Sequence, residues 1–86
     1  MANWFVYMVR CADQSLYTGV ATDVTRRIKE HNHDNQLGAR YTRSRRPVEL
    51  VYQESCDNRS HACQREYALK QLSRRNKLAL IADNLL

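Results

Sequence analysis

The sequence predicts an α+β domain: a three-stranded, mainly antiparallel sheet flanked by three helices, in the order β-β-α-β-α-α. Three observations lead there. Residues 4–21 contain two extended stretches separated only by the turn residues "ADQS", the pattern of a hairpin. Beyond Thr22 the apolar residues adopt helical spacing, and they do so again in two segments after Asp57. Between these helical regions "PVELVYQE" alternates Val48, Leu50 and Tyr52 against Glu49, Val51 and Gln53, as a strand with one buried face does.

Each element has a local reason. "WFVYMVRC" (4–11) is a short apolar run rich in β-branched and aromatic residues, which suits a strand covered on both faces. "SLYTGVA" is its hairpin partner. Thr22 or Asp23 can cap the first helix, because a side-chain oxygen there accepts an otherwise orphaned backbone N–H. From Asp34 to Pro47 the periodicity disappears, and "DNQLGARYTRSRRP" reads as a loop with four arginines between residues 40 and 46. Asp57 or Asn58 can cap a helix over about 58–72, and Ser73 can cap a last one whose Leu78, Ile81, Ala82 and Leu85 repeat at helical spacing. Residues 1–86 read as one domain, with no repeat, low-complexity tract or linker.

Composition narrows the function classes. The net charge is +5, and the basic residues are 11 arginines against 3 lysines. A guanidinium fork matches phosphate in two places at once, so this bias points to a polyanion such as nucleic acid. A membrane partner fits poorly, since no segment combines a basic face with a broad aromatic-rich apolar one and none is signal-like or spanning. Cys11, Cys56 and Cys63 are an odd number without a close pair, which suits a reducing cytoplasm. A zinc site from Cys56, His61 and Cys63 lacks its second ligand pair, so these read as buried or incidental thiols.

Two helices point polar groups inward. Winding "TDVTRRIKEH" at about 100° per residue with Val24 as origin puts Ile28 at roughly +40°, His31 at roughly −20° and Arg27 at roughly −60°. Arg26, Lys29 and Glu30 fall on the other side. The same construction from Ala62 puts Glu66 near +40°, inside an apolar stripe with Leu69 near −20° and Lys70 near +80°. A carboxylate there is costly unless paired. It is either a structural ion-pair partner, of Lys70 or of an arginine, or a functional group. Tyr7 and Tyr17 add two phenols from the hairpin; as core residues they would need only a hydrogen bond at the rim. An arginine, a histidine, a carboxylate and two tyrosines around one small sheet would together suit phosphodiester cleavage.

Phe5-Val6-Tyr7, Tyr17-Thr18-Gly19, Asp23 to His31 with Arg27 between, and "REYALKQLSRRNK" resemble, in this order and spacing, the GIY-YIG nucleases. The likeness spans nearly the whole chain and is nearest to their small stand-alone bacterial, YhbQ-like subgroup. It implies a metal-dependent endonuclease that hydrolyses phosphodiester bonds, with DNA expected before RNA, in repair or recombination. It also implies roles. Tyr7 would activate the attacking water, Tyr17 would position water and phosphate, and Arg27 would meet charge on the phosphate. Glu66 would hold one divalent cation, Mg2+ or Mn2+; His31 would sit beside the site, and Gly19 would let backbone or substrate approach. Phe5 stands where the motif has glycine and Thr18 where it has isoleucine; Phe5 shares a side of its strand with Tyr7 and narrows the cleft.

The basic loop supplies a binding reading. Arg40, Arg43, Arg45 and Arg46 can follow phosphates, with Tyr41 stacking on a base. A nucleic-acid-binding module without turnover would need no more than this, whereas Glu66 has no use in a mere binder. The loop read as a solvated basic turn would carry neither role.

Overall fold

The structure, a computed structural model, describes residues 3–84. Its elements are β1 (Trp4–Arg10), β2 (Leu16–Ala21), α1 (Val24–His33), α2 (Arg40–Arg43), β3 (Glu49–Cys56), α3 (Arg59–Lys70) and α4 (Arg74–Asp83). The expected order holds, with the one-turn α2 added inside the segment expected to be all loop. Strands pair antiparallel in the order β2-β1-β3. Leu85 of the expected helical repeat lies outside the described residues.

β1 is central because it is apolar on both faces. Val6 and Met8 join Tyr52, Cys56, Ala62, Leu69 and Ile81 in one core cluster, which lies under α3 and α4. Tyr7, Val9 and Cys11 point the other way and join Val24, Val48 and the partly buried Ile28 beneath α1. Alternation along one strand therefore builds two cores. The hairpin closes through Gln14 N–H to Cys11 C=O at 2.9 Å and Cys11 N–H to Ser15 C=O at 2.9 Å. Gln14 takes a left-handed backbone (φ 70°), the conformation that ends a three-residue hairpin loop.

β3 departs from the expected alternation. The β1–β3 register runs Met8 opposite Tyr52 and then Val9 opposite Leu50, so Val51 is a bulged residue. A bulge puts two successive side chains on one side and resets the alternation beyond it. Val51 and Tyr52 both pack on the α3/α4 core, Val48 belongs to the α1 core, and Leu50 is left 39% exposed. Val48, Leu50 and Tyr52 thus do not form one buried face.

Each longer helix starts on a side-chain cap. Asp23 accepts from Arg26 N–H at 3.0 Å, Asn58 from His61 N–H at 2.8 Å, and Ser73 from Asn76 N–H at 3.1 Å. The end of α1 is held by Arg46, whose Nε donates to His31 C=O at 2.6 Å and whose Nη2 donates to Asp34 C=O at 2.9 Å. Its Nη1 reaches Asn35 Oδ1 at 2.9 Å. The two donors on main-chain carbonyls satisfy groups that no further turn can reach, and the third ties the guanidinium to Asn35. Asn32 anchors the same helix to the residue before β3, accepting from Val48 N–H at 2.7 Å and donating to Val48 C=O at 3.0 Å.

Arg46→Ala should therefore lower stability by about 1–3 kcal/mol, the range for breaking hydrogen bonds to part-buried groups. Arg40→Ala, at an exposed position on α2, should change it by less than about 0.5 kcal/mol. Urea unfolding of both variants checks this; equal midpoints would remove Arg46 from the architecture of α1.

Candidate active site

The site is built around a phenol buried in the α1 core. Tyr7 lies opposite Gly19 in the hairpin, and its ring occupies the space above that glycine. A Cβ at residue 19 would stand 2.6 Å from Tyr7 Oη and 2.8 Å from Cζ, closer than non-bonded atoms tolerate. The close approach that Gly19 permits is thus made by the Tyr7 ring and not, as the motif suggested, by substrate or backbone. With the ring laid down in this way Tyr7 is only 1% exposed.

α1 supplies the polar lining. Arg27 and His31 face the sheet while Arg26 and Lys29 face solvent, as helical winding requires. Glu30 is not fully outward as expected: it is half-buried because Arg27 Nη1 donates to its Oε1 at 2.9 Å. The same nitrogen donates to Leu37 C=O at 2.6 Å. His31 is fully buried, with Nε2 2.7 Å from Tyr7 Oη and Nδ1 2.9 Å from Thr42 Oγ1. The Thr42 hydroxyl in turn donates to Ala39 C=O at 3.0 Å. Thr42 is a member of this site that carries no signal in the sequence, since α2 brings it in from a segment without periodicity.

Burial sets the protonation of the pair. Loss of water pushes the Tyr7 phenol up to about 12, against a downward pull from hydrogen bonding to Arg27 and helped by the charges of Tyr17 and Glu66. Loss of water also pushes the His31 imidazole down to about 4, and Arg27 and Arg46 add to this while Glu30 opposes it. At neutral pH both are uncharged, so the proton between them rests on the phenol.

Aromatic rings continue from the site to the surface. Tyr17 meets the His31 ring edge-on at 5.4 Å, and Tyr41 stacks on Tyr17 at 5.7 Å with the planes 25° apart. The Arg45 guanidinium lies 4.0 Å from the centre of the Tyr41 ring and is fixed by Asp13 at 3.1 Å and by Tyr41 C=O at 2.8 Å. Tyr41 was expected to offer its ring to a base; its ring already has two partners within the chain. Arg40 and Arg43 are exposed, Arg43 donating to Asn35 C=O at 2.9 Å, whereas Arg46 is taken up by the end of α1 and is withdrawn as a candidate phosphate contact.

Glu66 lies on α3, the helix over the other core of the sheet, and its link to the site is electrostatic. Its side chain is 26% exposed, with Lys70 Nζ 3.4 Å from Oε2, and its charge is felt at the Tyr7 hydroxyl. The ion pair with Lys70 considered from the sequence is thus formed. Phe5 packs in the same core as Tyr7, on the side expected. Among the described residues no three His, Cys, Asp or Glu side chains gather to cage a metal ion. A single carboxylate suits a hard divalent cation that keeps most of its waters and does not suit zinc, which takes several nitrogen or sulfur ligands.

A model described as the GIY-YIG catalytic domain matches residues 3–79. The chain belongs to the GIY-YIG family. Its relatives include the UPF0213 protein DP2720 of Desulfotalea psychrophila, 62% identical over 78 residues that make up 91% of this chain and 70% of that one. The UPF0213 protein SSP2268 of Staphylococcus saprophyticus is 52% identical over 83 residues, 96% of this chain and 99% of the other. The solution NMR structure of the UPF0213 protein BH0048 from Bacillus halodurans has the same fold at a TM-score of 0.60 and 43% identity, covering 94% of this chain and 84% of that one. Within this GIY-YIG domain, Tyr7, Gly19 and His31 form one packed unit. No helix among the described residues is long and apolar enough to cross a membrane.

The neutral, buried imidazole makes stability depend on pH. An unfolded histidine titrates near 6.5, whereas folded His31 stays neutral down to about 4, so between these values only the unfolded chain takes up this proton. The contribution is full above about 6.5 and is lost as pH falls toward about 4, to a total on the order of 3 kcal/mol. The urea midpoint should therefore drop between about pH 7 and about pH 4.5, before the carboxylates with lowered values titrate. In His31→Gln that drop should shrink. A flat parental profile would mean that the imidazole is not held neutral.

Proposed function

We propose that this GIY-YIG domain is a metal-dependent endonuclease that hydrolyses phosphodiester bonds, with DNA the first candidate substrate, and that it serves repair or recombination. The observation that carries the reading is the 2.7 Å bond between the Tyr7 hydroxyl and His31 Nε2, with the Arg27 guanidinium beside the phenol and the charge of Glu66 adding to the upward shift there. A buried phenol paired with a neutral imidazole and set beside an arginine would have a use in moving a proton that a packing residue would not need.

The chain's own groups divide the work. Tyr7 Oη takes a proton from the attacking water while its own proton passes to His31 Nε2, so no isolated phenolate is formed in the pocket. Tyr17, edge-on to His31 at 5.4 Å, would help position water and phosphate. Arg27, already oriented by Glu30 and Leu37 C=O, meets the negative charge that grows on the phosphoryl oxygens. Glu66 would hold a Mg2+ or Mn2+ ion, which when bound polarises the phosphate and stabilises the leaving oxygen. Arg40 and Arg43 are the exposed arginines of the 40–46 segment and would follow the backbone of the nucleic acid.

A non-catalytic binding module is the second reading, and one observation favours it: Glu66 and Arg27 both have ion-pair partners, Lys70 and Glu30, without any substrate. The two readings differ in a nicking assay on supercoiled DNA, run beside single-stranded DNA and RNA with magnesium or manganese and with a chelator. The parent should nick only with the metal, and Tyr7→Phe should lower the rate by about 100-fold or more. Glu66→Gln should abolish cleavage while its melting in chelator shifts by less than about 1 kcal/mol, because the Lys70 pair is half-exposed. A parent that binds every substrate and cuts none would favour the binder, and Glu66→Gln cutting at the parental rate would remove Glu66 from the site.

A further inference from the structure

The direction of the hydrogen bonds at His31 can be worked out from its neighbours. Tyr7 Oη has one proton and 1% exposure, so that proton needs a protein acceptor. Of the two groups at the phenol, Arg27 carries donors only, which leaves His31 Nε2. His31 must then carry its proton on Nδ1 and give it to Thr42 Oγ1. The hydroxyl of Thr42 is free to accept because its own proton goes to Ala39 C=O. Reversing the chain would put a proton on Nε2 and leave the Tyr7 O–H without an acceptor. In the direction given, every donor along Tyr7, His31, Thr42 and Ala39 is used once, and among the described residues no buried side-chain polar atom lacks a partner.

We infer that Thr42 is a positioning residue for the cleavage reaction: its buried hydroxyl fixes His31 as the Nδ1–H tautomer and so keeps Nε2 open for the Tyr7 proton. This rests on the nuclease reading above. A single turn of helix with no buried side chain other than Thr42 is what α2 contributes to the core, and that side chain lies on His31. When water gives its proton to Tyr7 Oη and the phenol proton moves to Nε2, Nδ1–H keeps the same acceptor. The imidazolium therefore forms with no ring rotation; the water oxygen bonds to phosphorus as the bond to the leaving oxygen breaks, the leaving oxygen takes a proton from bulk water, and the Nε2 proton returns through Tyr7 Oη to water.

The test compares Thr42→Val, which keeps the shape and loses the hydroxyl, with Thr42→Ser, which restores it. The first measurement is the ring ¹⁵N spectrum of His31 at neutral pH, which identifies the unprotonated nitrogen without any turnover. The parent and Thr42→Ser should show Nε2 unprotonated, and Thr42→Val should show loss of that preference, because its Nδ1–H would be buried without an acceptor. The second is cleavage: Thr42→Val should lose about tenfold or more in kcat with KM little changed, and Thr42→Ser should recover most of it. A parent with Nδ1 unprotonated overturns the proposal even if the valine variant does not fold. So does a folded valine variant with parental tautomer and parental kcat. Parental protein that cuts nothing overturns the catalytic role through the nuclease reading, and the tautomer shift in Thr42→Val then shows that this reading, and not the hydrogen-bond order, was at fault.

Discussion

Everything at the site depends on how the Tyr7 ring is buried. The phenol lies flat over its cross-strand partner, a glycine, and the absence of a Cβ there sets both the depth of the hydroxyl and its direction. Once the ring is in place, the hydroxyl meets the helix that crosses this face of the sheet at one position, and His31 stands there. The caps of α1 follow from the same demand. Asp23 fixes its start, and Arg46 with Asn32 fixes its end, so the imidazole cannot slide relative to the strand. Gly38 belongs to this scheme too, since a Cβ at that residue would lie 2.6 Å from Asp34 C=O and 2.8 Å from Glu30 C=O.

Burial also sets the chemistry at rest. A phenol raised to about 12 beside an imidazole lowered to about 4 holds its proton firmly, and nothing in the free protein draws it away. The same low-dielectric surroundings strengthen whatever charge is brought in. On the nuclease reading, a phosphate at Arg27 would meet a phenol and an imidazole that are both neutral at rest, and the proton would leave the phenol only with substrate in place. Such an arrangement keeps the free protein from holding an idle phenolate.

Much of this is legible in the sequence, and the physical reasons for the rest are specific. Helical periodicity is a local property, so winding residues 22–31 is enough to put Arg27 and His31 on the side of Val24 and Ile28, where the structure has them. Caps are local as well, and Asp23, Asn58 and Ser73 all carry the N-terminal bond expected of their residue types. The Val51 bulge is different, because it is decided by the register between two strands more than forty residues apart, and it breaks the alternation of a stretch that reads as a regular strand. Thr42 and Arg46 were hidden for a related reason. Each looks like part of a polar basic loop, and only the folded chain brings the first to an imidazole and the second to the carbonyls that end α1. The motif likeness gave Gly19 its candidacy and the basic loop gave Tyr41 its own, but neither gave their contacts, which are with Tyr7, Tyr17 and Arg45.

The central claim is that Tyr7 and His31 act as one proton-moving unit. A double-mutant cycle in cleavage tests it most directly, using Tyr7→Phe, His31→Gln and the two together, each measured at saturating magnesium under single-turnover conditions. Residues that serve one step in series are strongly non-additive, so the double variant should be no slower than the slower single variant, within about threefold. Rate losses that multiply, leaving the double variant slower by the product of the two single effects, would contradict the account and make the 2.7 Å contact a packing bond between two independent groups.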